Sequence, residues 1–385
     1  MVVLPGDGKG PELVGHVLRV AEWFRAKRGF DCRIVTESYG AAAYRQTGVW
    51  ASDSLFSSLA SADAVLLGAI GSGPEFEAIP VEIRRNWGML RIRREMQLFA
   101  NLRPIRTRDA LLSASPLRPD IARGVDLLFV REIAGGLYNG QPRGITGPVG
   151  GERRATNTLS YGSEEIRRIA RLAFDLARSR GRGLTSIDKA NATEVGALWR
   201  EVVAALRESE YPDVPLRHLY VDICAAELVS APRQFDVILA DNMHGDILSD
   251  GAAPLAGSTG LLPTASFSLP DANGHVRALY ESMDVHGASE LAPDVVNPVG
   301  SVLSFALALR HSFGRADDAA LLEAAIDNAL VGGTRTVDIA GDGPAATTTA
   351  MVDAILLELD RADTPTRTTG ISPQATRPSQ KRQGA

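Results

Sequence analysis

Short, almost wholly apolar runs, each closed by a polar turn and followed by a helical stretch, constrain this chain most. Ala62 to Ala69 (ADAVLLGA) is one; others lie in Val125 to Glu132 (VDLLFVRE) and Phe235 to Ala240 (FDVILA). A strand without polar alternation is buried on both faces, the habit of a parallel sheet covered by helices. Repetition of strand, turn and helix makes this an α/β protein. Its 385 residues suffice for two domains, and a 45% apolar, 23% charged composition suits a soluble globular chain. A net charge of -5 argues against general affinity for nucleic acid or acidic lipid. Cys32 and Cys224 cannot build a disulfide framework, and no uncharged apolar run is long enough to cross a bilayer. With no signal-like segment in MVVLPGDGKGPEL, a cytoplasmic protein is the expectation.

Polar residues gather where these strands end. Arg131 and Glu132 close a strongly apolar strand, Lys189 follows SID, Asp222 follows LYV, and Asp241 follows VILA. Open α/β sheets bind ligands at such carboxyl ends. A guanidinium at a buried strand end needs an anion, and Arg93, Arg103 and Arg131 could hold a dicarboxylate by bidentate pairs. The stretch Trp87 to Pro104 reads as a helix carrying Arg91, Arg93 and Arg94, with Arg103 near its end. Tyr138 follows the Gly135-Gly136 turn close by.

Asp246 and Asp250, four apart with Ser249 between, share one side of a helical turn. Crowded carboxylates without a Cys or His cluster suit Mg2+ or Mn2+; the bland alternative is a solvated helix N-terminus. GDGKG after the first strand matches neither dinucleotide nor Walker glycine patterns and reads as a structural turn. Gln141 to Asn157 reads as a surface loop or an arm reaching a partner subunit. His286 and Asn297 frame a polar loop in which His286 either meets an adenine or is incidental. Cys32 to Thr36 reads as a strand, and from about Arg361 to Ala385 a disordered tail is expected.

These motifs, in order, resemble the isopropylmalate and isocitrate dehydrogenase family, closest to its short NAD-dependent isopropylmalate branch. LPGDGKGPE, LLGAIG, LRIRREMQLFANLRPI, DLLFVREIAGGLYNGQPRG, SIDKAN, YVDICAAELV and DNMHGDILSDGAAPLAGSTGLLPTAS carry the resemblance. It implies two α/β domains around a cleft: residues 1–99 plus 252–355 on the cofactor side, and residues 100–251 bearing the dimer interface. It implies oxidative decarboxylation of a (2R,3S)-type alkylmalate with NAD and Mg2+ or Mn2+. Carried over by motif, Arg93, Arg103 and Arg131 bind the malate carboxylates and Tyr138 and Lys189 are the acid–base pair. Asp222, Asp246 and Asp250 are the metal ligands. An obligate homodimer is also implied, Lys189 and Asp222 crossing to the neighbouring subunit.

The sequence departs from that branch in the side-chain pocket and in the cofactor loop. Asn86, Met89 and Leu90 stand where a Glu and two leucines are usual, and Ala192 where Val is usual. The loop VHGASELAPDVVNP is two residues shorter than usual, leaving His286, Gly287, Glu290, Asp294 and Asn297 as cofactor contacts, with Glu290 or Asp294 for the adenosine ribose. The absence of Lys and Arg between His286 and Asn297 favours NAD over NADP. The expected substrate is 3-isopropylmalate or a close hydrophobic 3-substituted malate. The alternatives are isocitrate, homoisocitrate or a tartrate-like acid, and more remotely a catalytically idle scaffold.

Overall fold

The computed structural model describes residues 1–71, 74–283 and 292–363; within these, the side chains of Asp53, Pro74, Glu75, Arg85 and Asn86 are set aside. Twelve strands are present among them: β1 (Val2–Gly6), β2 (Val35–Thr36), β3 (Val65–Ala69), β4 (Leu98–Arg106), β5 (Asp126–Glu132), β6 (Gly144–Thr146), β7 (Arg154–Thr156), β8 (Leu184–Asp188), β9 (Leu216–Tyr220), β10 (Val237–Ala240), β11 (Pro263–Ser268) and β12 (Ala278–Ser282). Ten of them form one sheet in the order β2-β1-β3-β12-β11-β4-β5-β10-β8-β9. The outer quartets β2-β1-β3-β12 and β5-β10-β8-β9 are each parallel, while β11 and β4 join them through antiparallel pairings.

The second quartet puts its polar residues on one edge. Arg131 lies beside Ala240, and Asp188 beside Tyr220, so Arg131, Lys189, Asp222 and Asp241 emerge along a shared carboxyl side. Two helices show why the strands are covered as they are. Gly10–Arg28 carries Pro11 and Glu12 in its first turn, and stops at Gly29, left-handed at φ 63°. Its Leu13, Val14, Val17, Val20, Ala21 and Phe24 are buried, most of them in a core shared with helices Val299–His311, Ala316–Val331 and Thr348–Asp363. Ser163–Arg180 buries Ile166, Ile169, Ala170, Ala173, Phe174 and Ala177 over the second quartet. Each large side chain of that stripe contributes roughly 1.5–3 kcal/mol.

Some expectations are corrected. The helix bearing the arginines ends at Glu95, and Arg103 sits inside β4, because the apolar run Leu98–Leu102 is drawn into the sheet. The Cys32 to Thr36 strand shortens to Val35–Thr36, while Cys32 joins the first core. The last helix runs through Asp363, past the expected start of the tail at Arg361; residues 364–385 lie outside the described residues. Gln141 to Asn157 is a hairpin, β6 paired with β7, whose strands are exposed throughout. Among the described residues no helix is long and apolar enough to cross a membrane.

Candidate active site

A cavity of about 430 Å³ opens between the two halves of the sheet. Its polar wall is Arg93, Arg103, Arg131, Tyr138, Asp246, Asp250, Thr264 and Glu281, and its apolar wall includes Ile70, Met89, Leu90 and Met283. The aspartates come from the helix Asn242–Ala252. Asp241 caps that helix, its carboxylate accepting from His244 N at 2.7 Å, which sets Asp246 and Asp250 on the cavity side. Gly245 makes the approach possible, since a Cβ there would stand 2.8 Å from Arg131 Cγ.

Each guanidinium is oriented before any ligand arrives. Arg131 is 2% exposed; its Nε donates to Asn242 O at 2.9 Å, its Nη2 to Asn242 Oδ1 at 2.8 Å, and its Nη1 bonds Asp246. Arg103 donates to Asn101 at 2.8 Å, to Ser249 at 2.8 Å, to Asp250 at 2.7 Å and to Asp246 at 3.1 Å. Arg93 has a looser partner, Glu281 at 3.8 Å. Burial, then repulsion from Arg103 and Arg93, pulls the Arg131 guanidinium well below the ordinary arginine range. For Arg93 burial again acts first, Glu281 opposes it, and Arg103 adds to it. An anion in the cavity would relieve both.

Tyr138 donates to Asp246 Oδ2 at 3.2 Å. Burial and then the Asp246 charge raise its phenol, so it stays protonated at neutral pH. Burial and the neighbouring Asp246 raise Asp250 against the pull of Arg103. Two crowded hard-oxygen donors with this electrostatic tension fit a divalent cation. Yet among the described residues no three metal-ligating side chains gather in one place.

Lys189 and Asp222 lie elsewhere. They bond each other on the exposed carboxyl edge of β8 and β9, and neither lines the cavity. The Lys189 ammonium, as hydrogen-bond donor, holds Asp222 below the usual carboxylate range. Ala192 is exposed on the same edge, its N–H donating to Lys189 O at 3.0 Å. Met89 and Leu90 reach the cavity; the Asn86 side chain is outside the described residues.

His286, Gly287 and Glu290 also fall outside the described residues. Asp294 and Asn297 are described, and both side chains are engaged within the chain. Asp294 accepts from Thr349 N and Thr349 Oγ1, each at 2.7 Å, capping the last helix. Asn297 donates to Asp338 at 2.9 Å and accepts from Val299 N at 3.0 Å. Reasoning from the sequence missed Thr264, Glu281, Ser282 and Met283 in the cavity wall. They sit on β11, β12 and the residue after it, in runs with no distinctive spacing, and only the antiparallel return of the chain brings them in.

A two-quartet α/β sheet with an arginine- and aspartate-lined cleft at its middle defines a protein built to receive a small polyanion. The comparisons give that class its family. Residues 1–355 match the isocitrate/isopropylmalate dehydrogenase family model, and the chain belongs to this family. It is 48% identical to 3-isopropylmalate dehydrogenase 1 of Bordetella bronchiseptica, over 94% of this chain and 97% of that one. It is 46% identical to the 3-isopropylmalate dehydrogenase of Cereibacter sphaeroides, over 94% and 98%. Among solved structures, isocitrate dehydrogenase from Methylococcus capsulatus superposes with a TM-score of 0.79 at 28% identity, over 93% of this chain and 98% of that one.

Proposed function

We propose that this chain oxidises and decarboxylates 3-isopropylmalate or a close hydrophobic 3-substituted malate, with NAD as acceptor and Mg2+ or Mn2+ as metal. The carrying observation is one cavity that sets three guanidiniums and two aspartates against Ile70, Met89 and Leu90. The names of relatives at 42–48% identity support the same reading. Arg93, Arg103 and Arg131 hold the two malate carboxylates. The 3-substituent faces Met89 and Leu90, where a third carboxylate would be costly unless paired. Asp246 and Asp250 would hold the cation, which supplies Lewis-acid charge for the C2 oxygen and the developing enolate. NAD supplies the hydride acceptor. Lys189 takes the proton of the C2 hydroxyl, the resulting β-keto acid loses its C3 carboxylate as CO2, and Tyr138 returns a proton to C3. Its raised phenol supports that role.

Lys189, Asp222 and Ala192 complete the site from a second copy of the chain, as an obligate homodimer. Their shared position on an exposed edge, away from the cavity, supports this. So do the exposed Ile223, Val229 and Ile247 on the adjacent helices Val221–Ser230 and Asn242–Ala252, and Val149 at the hairpin tip. Residues 1–99 with 252–355 and residues 100–251 are taken as the two domains. A buried cluster drawn wholly from 99–239, and another drawn from 1–66 and 261–359 with Leu111 the one exception, support that division. The test is one set of assays with malate, isopropylmalate, benzylmalate, tartrate, isocitrate and homoisocitrate, each with NAD and NADP. Highest catalytic efficiency is expected with isopropylmalate and NAD. A preference for isocitrate or homoisocitrate would overturn the apolar-pocket reading, and one for NADP the cofactor reading. Lys189→Ala should keep the dimer and lose nearly all turnover.

A further inference from the structure

Lys9 occupies an unexpected place for an ammonium group. It is the residue just before the helix Gly10–Arg28, is 8% exposed, and makes no side-chain cap to that helix. A cation at a helix N-terminus opposes the helix dipole, and burying it adds a desolvation cost. Its two contacts offset this. Nζ donates to Ala292 O at 2.8 Å, and Glu12 Oε2 stands 3.5 Å away. Glu12 completes the arrangement from its other oxygen, Oε1, which accepts from Asp294 N at 3.1 Å.

These bonds fasten residues 292–294 to the first helix, and a second set fastens the same stretch to the last helix. Thr348 N donates to Asp294 O at 3.0 Å, the Asp294 carboxylate caps Thr349, and Thr348 Oγ1 donates to Val296 O at 2.7 Å. Asp294 holds this position with φ +61°, a left-handed conformation that aspartate accepts more readily than most side chains. The Lys9 turn also touches the cavity wall. A Cβ on Gly10 would come within 2.6 Å of Ala69 N, and Ala69 lines the cavity.

We infer that Lys9 is a positioning residue for the dinucleotide. Through Ala292 O, and with Glu12, it holds the 292–297 stretch against the Gly68–Ile70 wall in the arrangement that receives the cofactor. The inference rests on the dehydrogenase reading above. It assigns Lys9 no contact with the cofactor, because its side chain is buried and directed to Ala292 O and Glu12. Losing a charge-assisted hydrogen bond that pre-orders a binding surface raises the apparent dissociation constant by about tenfold.

The test compares Lys9→Met, which removes charge and donor, with Lys9→Gln, whose amide retains a donor. Calorimetric titration with NAD gives affinity, and steady-state assays give KM for NAD and for isopropylmalate separately. Expected for Lys9→Met is about a tenfold rise in Kd and KM for NAD, with the isopropylmalate KM within twofold, and for Lys9→Gln a smaller rise in the same direction. Unchanged NAD constants in Lys9→Met, or equal rises in both KM values, would overturn the assignment. If Lys9→Met does not fold, Lys9→Gln decides: a rise confined to NAD supports the role, and none overturns it. Wild-type protein that binds neither NAD nor NADP would instead remove the dehydrogenase reading itself.

Discussion

At the scale of single residues, the cavity is held together by charges that are poorly solvated unless paired. Arg131 is bonded to Asn242 and Asp246 and almost fully enclosed. Replacing it by Met would leave the Asp246 carboxylate to Arg103 and the Tyr138 hydroxyl. We expect Arg131→Met to cost on the order of 3 kcal/mol in urea unfolding. It should also raise the substrate KM by more than a hundredfold in steady-state assays. His218, on β9 near Asp188, gives a different kind of test. Burial lowers its imidazole below 6.5, Arg200 adds to that, and Asp188 at 3.9 Å opposes it. A folded pKa below the unfolded one means the neutral ring contributes stability that is complete above pH 6.5. That stability is lost as pH falls through the depressed value. His218→Phe should therefore flatten the acid side of the stability profile, measured by urea unfolding at intervals below pH 6.5; an unchanged slope would refute this. Most of these residues were legible in the sequence. Arg93, Arg103, Arg131, Tyr138, Asp246 and Asp250 do share one cavity, because charged groups at the ends of apolar strands have few uses other than binding. The engagement of Asp294 as a helix cap was not legible, because its partner Thr349 lies 55 positions away.

At the scale of elements, the site depends on how closely the helix Asn242–Ala252 lies on β5. Gly245 sets that distance. Gly245→Ala should gain roughly 0.5–1 kcal/mol in helix propensity. The new methyl must nevertheless displace the Arg131 side chain. We expect the substrate KM to rise about tenfold with helical circular dichroism unchanged; a KM within twofold of wild type would show that the helix can slide. Elements with strong periodicity, such as Ser163–Arg180 with Ile166, Ile169, Ala170, Ala173 and Phe174 recurring on one face, are readable in the sequence. The segment Met96–Arg106 is not, because a continuous apolar run serves a buried helix and a buried strand equally well.

At the scale of the whole molecule, the strand order was beyond the sequence. No local pattern announces that β11 and β4 run antiparallel between two parallel quartets. The proposed second copy can be tested at this scale. Ile223 and Ile247 are 43% and 61% exposed in the single chain, so converting both to Asp should alter its intrinsic stability little. The paired variant should sediment as a monomer and lose turnover, since Lys189 and Asp222 would no longer reach a neighbouring cavity. A fully active monomer would rule out the shared site.

The route of the chain through that sheet also orders its synthesis. Met1, Val3, Val14 and Phe24 share their buried cluster with Leu261, Tyr280, Phe305, Ile326 and Ile355, so the first strand leaves the ribosome long before its packing partners exist. At about 5–20 residues per second, the delay is tens of seconds. The stretch from Phe99 to Leu239, many of whose buried residues form a cluster among themselves, can collapse during that interval. Ribosome-held chains stopped shortly after Leu262 emerges should therefore resist protease in the middle while remaining cleavable near the amino terminus. A cell making this protein must keep its opening helix out of aggregates until the last helix has been translated.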